Sequence, residues 1–194
     1  MKTNNLQLKV ELAGIEPKIW RRIIVDENAS LYELHHIIQL AFGWENYHLY
    51  EFEADRNFYG NVELWDIGDE INHVTDDRRV KVKELLNDSR KSIKYLYDMG
   101  DSWMHIIKLE KFDKANTLVK APYCVAGEGN CPPEDCGGVP GYYHMLEVLK
   151  KPKSKEYKEL IEWLDGKYDP DHIDIAEINE MLSDLDNYIA EYEE

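Results

Sequence analysis

Residues Leu6-Gln7-Leu8-Lys9-Val10-Glu11-Leu12 alternate apolar and polar without a break. A period of two buries one face only as a β-strand, so the chain must build a sheet with at least one covered side. Turn chemistry follows between Gly14 and Pro17. Ile19-Trp20-Arg21-Arg22-Ile23-Ile24-Val25 then reads as the returning strand of a hairpin. Ser30-Leu31-Tyr32-Glu33 is a capping box, in which the serine side chain accepts from the amide three residues on and Glu33 reaches back. Leu31, Leu34, Ile37, Ile38 and Ala41 fall on one helical face, and Gly43 fits its C-terminal stop. His48 to Ala54 alternates again. The opening order is strand, strand, helix, strand.

A second hairpin is predicted from Ser92–Tyr97 and Met104–Glu110, joined through Asp98-Met99-Gly100-Asp101. Residues 122 to 141 read as a long loop rich in Gly, Pro and Cys, and loops of that length inside a domain usually have a role. Short helices are expected at Val82–Leu86, Tyr142–Lys150 and Ser154–Leu164. The last helix starts at Asp174 and bears Ile175, Ile178, Met181, Leu182, Leu185 and Ile189 on one stripe. That stripe requires a surface to cover. The fold class is therefore α+β, a mixed and mainly antiparallel sheet with C-terminal helices packed on it. One domain spans 1–194, with its core in 6–150 and an acidic helical segment in 151–194. Leu64-Trp65-Asp66-Ile67-Gly68-Asp69, with His73, also echoes Leu96-Tyr97-Asp98-Met99-Gly100-Asp101, with His105; Asp-x-Gly-Asp is a favourable turn, so the echo need not be a repeat.

Charge is uneven. The chain carries −16, and from Glu159 to Glu194 there are 13 acidic residues against Lys167. Arg78 to Lys94 holds seven basic residues against Glu84 and Asp88. Nucleic-acid binding through 78–94 is the reading such a strip suggests, and the net charge disfavours it; a solvated face paired with the acidic tail is the plainer one. No apolar run reaches the roughly 18 residues of a membrane span, and the N-terminus lacks a signal-peptide block, so the default expectation is cytoplasmic, with no membrane partner.

Two constellations could bear chemistry. Cys124, Cys131 and Cys136 could hold zinc with His105 or His144 as a fourth ligand. Their Cys-x6-Cys-x4-Cys spacing lacks the tight Cys-x2-Cys knuckle, and the competing reading is inert thiols bracing a loop. The second is a polar patch of His48, Asp98, Asp101, Trp103, His105, Glu134 and Asp135, in which imidazole beside carboxylate suits acid–base work or an oxygen-rich metal site. If Met104–Glu110 is a strand, Trp103, His105 and Ile107 share one face. The alternative is a capped turn and one structural histidine. The chain has no phosphate-cradling P-loop, no Gly-x-Ser-x-Gly elbow and no complete dinucleotide loop. Glu128, Glu134 and Asp135 would raise, not lower, a nearby thiol's pKa.

Three blocks together resemble a known family. They are Ile15-Glu16-Pro17-Lys18-Ile19-Trp20-Arg21-Arg22 running on to Phe42-Gly43-Trp44 and His48-Leu49; Tyr97-Asp98-Met99-Gly100-Asp101-Ser102-Trp103-Met104-His105; and Cys131-Pro132-Pro133-Glu134-Asp135-Cys136-Gly137-Gly138 with Gly141-Tyr142. Their order resembles the plasmid-Ri open-reading-frame-three-like family, also labelled insertion-element passenger proteins of TnpR type, over roughly residues 6 to 150. Met99 stands where the family usually has Phe. The resemblance implies an α+β domain associated with mobile elements and no established reaction. The label points to a resolvase, yet the chain offers no serine-recombinase region and no helix-turn-helix. The leading expectation is a binding or regulatory module whose patch recognises a protein or small ligand. The alternatives are a metal-assisted hydrolase using the Asp/His/Cys cluster and a nucleic-acid binder.

Overall fold

The alternation of residues 6 to 12 becomes a strand with a sealed inner face. In the computed structural model, which describes residues 4–65, 74–113 and 120–192, β1 (Asn5–Leu12) holds Leu6, Leu8, Val10 and Leu12 at 2% exposure or less. The chain continues through β2 (Trp20–Asp26), α1 (Leu31–Phe42), β3 (Tyr50–Ala54), β4 (Asn57–Gly60), β5 (Val74–Asp76), α2 (Val82–Leu85), β6 (Ser92–Tyr97) and β7 (Trp103–Asp113). It ends with β8 (Tyr123–Glu128), α3 (Gly138–Leu149), α4 (Lys155–Trp163), α5 (Ile175–Ser183) and α6 (Leu185–Glu191). The described strands form one sheet in the order β5-β4-β3-β6-β7-β1-β2-β8. Among the described strands only the β4–β5 pairing is parallel. This is the expected α+β class, with a mainly antiparallel sheet. None of the described helices is long and apolar enough to cross a membrane.

Register decides which residues form the core. Val10 faces Ile107 and Leu12 faces His105 across β1–β7, while Tyr95 faces His105 and Tyr97 faces Trp103 across β6–β7. Their buried side chains meet Leu34, Ile37, Ile38 and Ala41 of α1 in one apolar cluster. Ser30 caps α1 as a full box: its Oγ accepts from the Glu33 amide at 3.0 Å, and its own amide donates to Glu33 Oε2 at 2.6 Å. Gly43 closes the helix at φ 84°, donating to Gln39 O at 2.8 Å. Ser30→Ala is expected to cost about 1 kcal/mol, read as a lower urea midpoint with an unchanged slope; an unshifted midpoint would show that packing alone holds this end.

Arg21 takes an inward position on β2 and is buried. Its Nε donates to Ala41 O at 2.8 Å, and its Nη1 donates to the carbonyls of Trp20 and Glu128 at 2.9 and 3.2 Å. The guanidinium thus ties β2 to β8 and meets the negative end of the α1 dipole.

The structure departs from the sequence reading in several places, among them β4 and β5, which no periodicity announced. The expected loop at 122–141 contains β8, an edge strand paired with β2, and ends inside α3. Gly127 disguises the strand because it reads as a breaker. It is needed there, since a Cβ would lie 2.9 Å from Trp20 O and 2.5 Å from Ile173 Cδ1. α3 starts at Gly138 rather than Tyr142 because Pro140 lies in the first turn, where a missing N–H costs nothing. β3 starts at Tyr50, which frees His48 from the ladder. The single helix expected from Asp174 is two, α5 and α6, meeting at Asp184. The stripe does dock: Ile178, Leu182 and Leu185 join the core cluster. The echo of residues 64–69 and His73 falls mostly outside the described residues.

Candidate functional site

The turn after β6 begins with Asp98 in a left-handed conformation, φ 57°. Its amide donates to Leu49 O at 2.9 Å, and its Oδ1 accepts from the Gly100 amide at 2.7 Å. These bonds fix the carboxylate against the segment that carries His48. Asp101, three residues on, accepts from the Gly137 amide at 2.9 Å through Oδ2 and so fastens the hairpin to the Cys131–Gly138 loop. Gly138 sits so close beneath that turn that a Cβ would lie 2.5 Å from Asp101 O. The hairpin and the Pro132-Pro133 segment are therefore neighbours.

Their junction gathers four of the predicted residues. His48 Nε2 lies 3.2 Å from Asp135 Oδ1 and 3.8 Å from both Asp98 Oδ2 and Glu134 Oε2. Three carboxylates thus ring one imidazole nitrogen, yet that nitrogen is buried and makes no hydrogen bond. Glu134 is aimed by two donors, the Glu45 amide and the Tyr97 hydroxyl, each 2.8 Å from Oε1. Its Oε2 is buried and has no hydrogen-bond partner. Burial raises the Glu134 carboxyl above its ordinary pKa. Asp98 is buried, whereas Asp135, at φ 55°, keeps its side chain 69% exposed and forms the open side. Ligand atoms of His48, Asp98 and Asp135 all lie within 4.8 Å of one another. Ligands held about 2.0–2.2 Å from one ion sit roughly 3–4.4 Å apart, so this triad is close to a coordination shell. Tyr97 was missed from sequence. Its signal was its place beside Asp98, at the strand end that faces the loop.

The other predicted residues lie elsewhere. Trp103 and His105 are fully buried and do not reach solvent. Their shared face is correct, but it is the core face, because β7 is an interior strand between β6 and β1. His105 Nδ1 donates to Trp103 O at 2.9 Å, and its ring packs edge-on to Phe42 at 5.0 Å. The expected zinc set of Cys124, Cys131, Cys136 and His105 does not assemble: among the described residues, His48, Asp98 and Asp135 are the group whose ligand atoms converge. The reason is topological, since Cys124 lies on β8, Cys131 and Cys136 follow in the loop, and His105 lies across the sheet on β7. Burial raises all three thiols, Cys136 to about 12, which disfavours the thiolate form. His144 is exposed and pairs with Glu156 at 2.9 Å.

Four of the seven basic residues in the stretch pair with carboxylates outside the acidic tail. Arg79 pairs with Asp76 at 3.0 Å, Lys91 with Asp88 at 2.8 Å, Lys94 with Glu53 at 2.9 Å, and Arg90 with Asp55.

Residues 4–177 match the family model described as plasmid pRiA4b ORF-3-like protein. The chain belongs to the plasmid pRiA4b ORF-3-like family. The family match runs beyond the three motif blocks through α3 and α4 into α5. A curated relative, the uncharacterized protein y4hQ of Sinorhizobium fredii, is 38% identical over 184 residues, covering 93% of this chain and 91% of the relative. The crystal structure of MM3350, a protein of unknown function from Methanosarcina mazei Go1, superposes with a TM-score of 0.80 at 35% identity, covering 90% of this chain and 97% of that one.

Proposed function

We propose that this protein of the plasmid pRiA4b ORF-3-like family is a divalent-cation-dependent binding module, with His48, Asp98 and Asp135 as ligands and Glu134 beside them. The reading rests on one observation: three carboxylates surround His48 Nε2 at 3.2–3.8 Å, and it bonds to none of them. A shared cation would account for this convergence of one nitrogen and three carboxylates without a hydrogen bond among them. One nitrogen with carboxylate oxygens suits Mn²⁺ or Zn²⁺ better than an all-oxygen Ca²⁺ cage. The exposed Asp135 side leaves coordination positions for a ligand. On a chain of net charge −16, a bound cation supplies the local positive charge that a carboxylate- or phosphate-bearing ligand needs.

Asp98→Asn tests this cleanly, because asparagine tolerates positive φ and can keep the Gly100 cap while losing the charge. Calorimetric titration of chelator-stripped protein with Mn²⁺ and Zn²⁺ should give one site, weakened at least about 100-fold in Asp98→Asn and unchanged in Cys131→Ser. Loss in Cys131→Ser with retention in Asp98→Asn would transfer the ion to the thiols and end this reading.

A further inference from the structure

α3 and α4 pack on each other, joined through Lys150–Ser154. On α3, His144, Met145 and Val148 recur at helical spacing; on α4, Glu156, Glu159, Leu160 and Trp163 do the same. Each set is one helical face. The two faces line one open groove of about 350 Å³, which ends at Asp135. Met145 and Val148 are almost fully buried and make its floor. Leu160 and Leu164 of the same segment pack against the core cluster, whereas Trp163 stands outside it. The indole keeps 51% of its surface exposed. A tryptophan that the fold does not use, beside an apolar floor, is the kind of residue that anchors an interface.

Charge complementarity selects the occupant. Three carboxylates line the groove, from Asp135, Glu156 and Glu159, and no lysine or arginine does so among the described residues. His144 meets Glu156 at 2.9 Å and so links α3 to α4. Glu159 pairs with Lys155 at 2.8 Å, but both side chains are largely exposed, and such a pair holds its carboxylate only weakly. The acidic stretch from Glu159 to Glu194, with 13 acidic residues against Lys167, starts on this face and extends the negative field. A second copy of the chain would set that stretch against itself. Nucleic acid and anionic lipid would be repelled in the same way. A cationic partner is attracted, and its lysines or arginines find both carboxylates and an open indole face.

We infer that the α3–α4 groove is a docking surface for a basic amphipathic helix of a protein partner. Its apolar side chains lie on Met145, Val148 and Leu160, and its cationic ones meet Glu156, Glu159 and the Trp163 ring. Two helices with an apolar seam between them offer a third helix the groove that this mode of recognition uses. Asp135 belongs to both the groove and the His48 cluster, but the apolar surface and most of the charge come from α3 and α4, so docking does not require the cation.

The test uses the full chain and a fluorescein-labelled peptide of leucine and lysine at helical spacing, about four turns long, followed by anisotropy at physiological salt. Two control peptides replace every leucine by serine or every lysine by glutamate. The leucine–lysine peptide should bind at least about tenfold tighter than either control. Trp163→Ala should weaken it at least about tenfold, and so should the double variant Glu156→Gln/Glu159→Gln. Val125→Ser, which alters an exposed apolar residue on β8, should leave it unchanged. Binding should also persist in EDTA. Equal binding of the serine control would reduce the effect to net charge and overturn the inference, as would equal binding of the glutamate control or undiminished binding in Trp163→Ala. Loss of binding in EDTA would move the peptide to the cation cluster. A dimer seen by light scattering and abolished by Trp163→Ala would make a second copy the occupant, against the inference.

Discussion

Lowering the pH from 7 to 4 will destabilise this fold by about 3 kcal/mol or more. Burial holds His36 and His105 down at about 4, and His35 lies well below its ordinary value for the same reason. In the unfolded chain each takes up a proton near pH 6.5. Between those limits the unfolded state binds more protons, so stability falls as pH falls, and each of His36 and His105 accounts for roughly 3 kcal/mol by pH 4. Asp77 works in the opposite sense. Burial pushes it up to about 6, so the folded state takes up its proton first on acidification and offsets about one of the two histidines. Glu134, also raised by burial, opposes in the same way. Glu110, which its hydrogen bond from Arg22 holds at about 2, adds to the loss at the acid end. Urea unfolding followed by circular dichroism at both pH values, at constant ionic strength, measures the difference. A stability that holds or rises toward pH 4 would mean that the buried histidines are hydrated.

Trp103→Ala is expected to cost about 3–5 kcal/mol, a large part of the roughly 5–15 kcal/mol that holds a domain of this kind. Trp103 is fully buried, packs on Trp44 with ring centroids 5.6 Å apart, and pairs in register with Tyr97. Its removal opens a cavity directly beneath the turn that begins at Asp98. Trp103→Phe should cost much less, because the indole Nε1 is buried without a partner and its loss removes an unsatisfied donor. Chemical denaturation of both variants checks this. Equal costs would show that the indole nitrogen is paired after all.

Much of the architecture was legible because its determinants are local. The alternation of Leu6–Leu12, the Ser30–Glu33 box and the Asp98–Asp101 turn each name their structure within a few residues, and all three occur as read. Grouping that turn with Glu134 and Asp135 in one patch was a wager on tertiary contact that no local signal supported, and the Asp101–Gly137 bond brings the two segments together. What was not legible depends on tertiary cover. Periodicity placed Trp103 and His105 on one face of β7, but only the docking of α1 decides that this face is the core. β8 was hidden because an edge strand that contains Gly127 and runs into Gly129 looks like a loop until β2 is there to pair with it. The thiols attracted attention by their chemistry alone, whereas the convergent ligands are one histidine and carboxylates drawn from segments far apart in sequence.

The most direct measurement is a crystal structure grown with Mn²⁺ and examined by anomalous scattering at the manganese edge. A cation-dependent module predicts one strong peak about 2.0–2.2 Å from His48 Nε2 and from oxygens of Asp98 and Asp135. No peak there, with His48 Nε2 instead donating a hydrogen bond to Asp135, would contradict it.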